Sequence, residues 1–151
     1  MNTLEYFSEF HDWKSKNNDF SLFDYLPLKI NSEQLLLANQ LFFPKLIEKD
    51  GCVFIEESRQ KKFLEQAKNS CKDKSSLEKY INCVFLECMF ICKTDKDRKL
   101  IQHLAEHIKH SWDLWFKEKY SELNMVTEIY EDEFDGWCIT CYQICKLKTD
   151  Q

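Results

Sequence analysis

Glycine and proline are nearly missing from this chain, with two of each among 151 residues. That scarcity excludes the glycine-rich loops that cradle nucleotide phosphates, which need several backbone positions free of Cβ. It also predicts long regular elements joined with little elaborate loop. Arginine is scarce too, present only as Arg59 and Arg98, and the formal net charge is −5. Nonspecific nucleic-acid binding is disfavoured by that charge, because it needs a basic surface that displaces counterions from phosphate. No apolar run reaches the ~20 residues needed to span a bilayer. The most apolar stretch, Tyr80–Cys92, is interrupted by Asn82 and Glu87. Leu4–Lys14 carries acids where an export signal has its basic segment, so the expected location is the cytoplasm, away from membranes.

What is present suits a packed globule. Apolar residues make up 44% of the chain and aromatics 15%, enough to offset ordering entropy. The length fits a single domain, residues 1–151. Eight cysteines in a reducing compartment are expected to be free thiols, acting as small buried hydrophobes.

The middle of the chain reads most clearly. An apolar helical run must end near Pro44, which lacks a backbone donor and restricts its predecessor. Asp50-Gly51 then marks a turn, and Cys52–Ile55 a short buried strand. The segment Leu41–Ile55, LFFPKLIEKDGCVFI, resembles a stretch of small bacterial proteins of immunity-protein type. The resemblance spans a Phe-Pro pair and an Asp-Gly-Cys-Val-Phe turn and strand. It implies an inhibitor-like role and no particular chemistry.

Around that centre the periodicities predict an α+β fold: a mainly helical single domain of about five helices. A small antiparallel sheet would include a C-terminal hairpin and Cys52–Ile55. Thr3–Lys16 forms the first helix in this scheme, and Phe20–Leu28 a loop or single turn closed at Pro27. Asn31 with Gln34 caps a helix to about Phe42, whose leucines point to burial on most sides. Ser58 caps a helix to about Asn69. Ser75 with Glu78 reads as a capping box opening a central helix over Ser76–Lys93. A further helix starts at Asp95 or Asp97 and runs to about Tyr120. Its core face carries Leu100, Ile101, Leu104, Ile108, Trp112, Trp115 and Phe116. Met125–Glu131 and Gly136–Leu147 form the hairpin.

Three constellations bear on function. Cys138, Cys141 and Cys145 have zinc-like spacing, but strand alternation turns Cys138 away from the other two, so no zinc site is expected. His103, His107 and His110 lie along one helix face with Glu106 between them. HLAEH differs from the HExxH metalloprotease pattern, which leaves a solvated face or a weak metal or pH-sensitive site. The third is an acid cluster: Glu128, Glu131, Asp132, Glu133 and Asp135, with no base among them and with Phe134 and Trp137 alongside. Such a cluster is either a solvated hairpin tip or a docking surface for a basic protein. On the docking alternative Phe134 is the expected anchor, and Trp137 belongs to the core. No catalytic residue and no cofactor emerge from the motifs. The sequence therefore points to a small acidic, non-enzymatic binding protein, an inhibitor or immunity protein for a basic effector. A metal-binding or regulatory module using the histidine face, and an enzyme with a scattered site, are the alternatives.

Overall fold

Asp50 and Gly51 both take left-handed backbone, with φ of 55° and 73°. Positive φ at both central positions is what a tight two-residue hairpin requires. The turn joins β1 (Leu46–Lys49) to β2 (Cys52–Ile55), antiparallel, with Lys49 opposite Cys52 and Leu46 opposite Ile55. This is seen in a computed structural model that describes residues 3–144.

Every side chain of β2 is buried, because each face of the strand has its own apolar cluster. Val53 and Ile55 pack with Leu86, Ile108, Trp112 and Ile139. Cys52 and Phe54 pack with Leu64, Ala67, Leu77 and Ile81. A strand covered on both sides needs a continuous apolar run, and CVFI supplies one.

The helices among the described residues are α1 (Ser8–Lys16), α2 (Leu22–Lys29), α3 (Ser32–Phe42) and α4 (Leu64–Ser70). They are followed by α5 (Lys74–Ile81), α6 (Leu86–Met89) and α7 (Asp95–Lys119). A second, three-stranded antiparallel sheet has the order β3 (Val84–Phe85), β5 (Gly136–Gln143), β4 (Met125–Asp132). The α+β class is as expected, but seven helices replace about five. Ser21 and Asp24 form a capping box that starts α2 where a loop was expected, and Pro27 sits within that helix.

The expected central helix over Ser76–Lys93 is instead α5, β3 and α6. Asp73 caps α5, accepting from the Ser76 N–H at 2.7 Å, so the Ser75–Glu78 box does not form. Glu78 on α5 and Asn82 at its C-cap, one turn apart, are both buried and reach across to two strands. The Glu78 carboxylate accepts from Val53 N–H at 2.8 Å and from Gln143 N–H at 2.6 Å. The Asn82 side chain accepts from Ile55 N–H at 2.8 Å and donates to the carbonyls of Val53 (2.9 Å) and Cys141 (3.0 Å). These five bonds satisfy the outer edge of β2 and part of the edge of β5. The strand Cys52–Ile55 is thus in a separate two-stranded sheet, joined to the C-terminal hairpin by side chains and not by a ladder.

Helix α3 departs from the expected burial. None of its residues is buried, and Leu35, Leu36 and Leu37 are 49%, 68% and 73% exposed. Its C-terminal end is anchored, where Trp112 Nε1 and Ser111 Oγ donate to the carbonyls of Leu41 and Phe42. Apolar content measures what a helix could bury, whereas the facing surface decides what it does bury. By contrast α7 buries Ile101, Ile108, Trp112 and Phe116 as expected, together with Ala105, while Leu104 and Trp115 pack partly buried at the margin and Leu100 lies outside the core cluster.

Candidate docking surface at the acidic hairpin

The β4–β5 connection is fixed by its own residues. Asp132 Oδ1 accepts from the Phe134 N–H at 2.8 Å and the Asp135 N–H at 3.0 Å. Those backbone donors hold its carboxyl below the usual carboxylate range. Gly136, at φ 69°, closes the turn with the Glu87 carboxylate lying so close that a Cβ would overlap it. Glu87 in turn accepts from the Trp137 N–H at 3.1 Å. Arg98 links this support to the strand above: its Nε is 3.5 Å from Glu87 and its Nη2 is 2.6 Å from Glu131.

This scaffold divides the acidic residues. Glu131 and Glu133 are exposed near the apex, and Phe134 stands 90% exposed between Glu133 and Asp135. Glu133 has no ion pair among the described residues. Asp132 serves the turn itself. Asp135 is half-buried and turns toward α6, where its Oδ1 lies 3.8 Å from the Cys88 thiol that donates to it. Glu128 is further down β4, opposite Thr140, engaged by Lys79 and the Tyr142 hydroxyl. Lys79 first, then Tyr142, draw its carboxyl down, and Glu128 in return pushes the Tyr142 phenol up. The apex is therefore formed by Glu131, Glu133 and Phe134, while Trp137 packs partly buried against the main core.

The other constellations separate in space. His103 is half-buried against the Tyr6 ring, with centroids 5.6 Å apart, while His107 and His110 are exposed. Among the described residues no group of three or more His, Cys, Asp or Glu is placed to hold a metal ion. Cys138 and Cys141 are buried on opposite faces of β5, and Cys145 lies outside the described residues. Cys138 belongs with Cys83 and Tyr130, whose hydroxyl is 3.2 Å from the Cys83 sulfur. Burial raises both thiols and the phenol, so none of the three is poised as a nucleophile. No helix among the described residues is long and apolar enough to cross a membrane.

Glu87 and Arg98, which support the apex, were not recognisable as a pair in the sequence. The available signal was Glu87 itself, an acid set inside the apolar run Tyr80–Cys92. Compared with protein-family models, curated proteins and solved structures, the chain matches none.

Proposed function

We propose that this protein is a non-enzymatic cytoplasmic binding protein, an inhibitor or immunity-type partner that docks a basic protein through the β4–β5 apex. One observation carries the proposal: a phenylalanine left 90% exposed at the tip of a turn whose backbone Asp132 holds in place. Burying such a side chain yields about 1.5–3 kcal/mol, which the free protein does not realise. Aromatic anchors of this kind concentrate binding energy, and the Glu133 carboxylate beside it, which has no ion pair among the described residues while Glu131 is held by Arg98, favours a cationic surface. The net charge of −5 adds longer-range attraction toward such a partner.

The geometry also selects the variants. Asp132 must be left alone, because replacing it breaks the turn and not merely the charge. Phe134→Ala and Glu133→Lys touch only exposed side chains. Affinity capture from the native cytosol with wild type should recover a basic protein whose retention falls as salt is raised. Phe134→Ala should release it faster, and Glu133→Lys should slow its binding. Equal recovery by all three proteins would reject the apex as the docking site.

A further inference from the structure

A cavity of about 680 Å³ opens between α3, residues 57–63 and the corner joining α5 to α6. Its floor reaches the core at Ile55, Cys83 and Trp112, all of which are buried. Leu37, Phe63, Tyr80 and Met89, four of the exposed large hydrophobic side chains, converge on it from different elements. We propose that this cavity binds a neutral, mainly apolar small molecule bearing a hydroxyl or carbonyl group at one end.

Size, surface and charge each bear on that choice. The volume lies within the range of ~300–1,000 Å³ that accommodates small ligands. One occupant would take the exposed faces of all four hydrophobic side chains out of water together, which is the driving force such a site supplies. The ionised groups lining it balance: Arg59 and Lys62 stand against Glu57 and Asp135. A lining without net charge gives no reason to favour an ion, and a charged ligand would have to shed its hydration on entry. Gln40 and Gln60 also line the cavity, and their side-chain amides form no hydrogen bond among the described residues. An amide can donate to or accept from an uncharged hydroxyl or carbonyl. Helix α3 is bonded to α7 at Leu41 and Phe42, and Leu37 is 73% exposed, so an occupant beneath Leu37 would give the preceding part of the helix something to pack on.

The test is calorimetric titration of the whole chain with 1-octanol, 1-nonanol and 1-decanol, with octanoate and octylammonium as charged counterparts. Affinity should rise about fourfold with each added methylene. Both ions should bind at least tenfold more weakly than 1-octanol. Leu37→Glu, at an exposed position in the wall, should weaken 1-decanol at least tenfold while leaving the ligand-free thermal midpoint unchanged. Met89→Glu is the equivalent variant on the opposite wall, should Leu37→Glu disturb folding. Gln60→Ala should weaken the alcohols about two- to tenfold. Affinity that is independent of chain length, an ion that binds more tightly than the alcohol, or insensitivity to both wall variants would each overturn the assignment. None of these outcomes depends on the acidic apex, so the two proposals fail separately.

Discussion

Replacing Asn82 with aspartate changes one nitrogen to oxygen and leaves the shape of the side chain intact. The acceptor that receives the Ile55 N–H survives, but both donors are lost, those to the carbonyls of Val53 and Cys141. Asn82 is fully buried, so water does not step in. Each stranded carbonyl costs about 1–3 kcal/mol, which puts the pair at roughly 2–6 kcal/mol. Against a whole-domain stability of about 5–15 kcal/mol, that is a large fraction. The variant should also acquire a pH dependence. Burial among carbonyl oxygens raises the new carboxyl above its unfolded value of about 3.9. The folded state then holds the proton more tightly, so stability falls as pH rises from about 4 through the folded-state value. Protonation restores one donor and with it part of the loss. Urea unfolding of wild type and Asn82→Asp at pH 5 and pH 8 measures both effects. The deficit should be at least about 2 kcal/mol at pH 8 and smaller at pH 5. A deficit under about 1 kcal/mol at pH 8, or one that is equal at both pH values, would refute the bridging role.

Glu78→Gln turns one of two acceptors into a donor facing a backbone N–H, and should cost about 1–3 kcal/mol in chemical denaturation. Burial raises the Glu78 carboxyl above 4.5, so wild-type stability should decline as pH climbs from 4.5 through the folded-state value. That component of the slope should vanish in the glutamine variant, and an unchanged slope would assign it elsewhere. Gly136→Ala meets both a left-handed φ and the Glu87 carboxylate, and should lower stability by at least about 1–2 kcal/mol in thermal melts. Adding Glu87→Ala to that variant should recover part of the loss, and no recovery would separate the two residues. Thiol titration of the unfolded, unreduced chain should find all eight cysteines free. In the native state Cys88 should react well before Cys83, Cys138 and Cys141, because only the first is exposed.

The readable parts of the fold were those that short-range chemistry decides. Asp50-Gly51 announces its turn because few residue pairs tolerate positive φ at both positions. The face of α7 follows largely from spacing, and of the two expected starts, Asp95 and Asp97, the helix takes Asp95, with Thr94 and Asp97 closing a capping box around it. The break after Ile81 was hidden for the opposite reason. Residues from Ile81 to Cys92 have helical spacing, and what ends the helix is Asn82 bonding to backbone 27 to 59 residues away. The acidic cluster was visible as a run but not as an arrangement. Glu128 is close to Glu131 in sequence, yet the pleat and Lys79 put it to a different use. The exposed position of Phe134 was legible, whereas the Glu87–Arg98 brace beneath it needed the fold.

The side-chain bridge between the two sheets has a consequence for which strand edges are left open to another chain. Strand edges with unpaired amides and carbonyls are templates for adding another strand, and proteins blunt them with polar or charged groups. Glu78 and Asn82 occupy the outer edge of β2 and the matching stretch of β5 at once, from a single helix. Removing either residue uncovers adhesive backbone on two strands together. Aggregation starting at that seam is then the expected way for the weakened chain to be lost, ahead of simple unfolding.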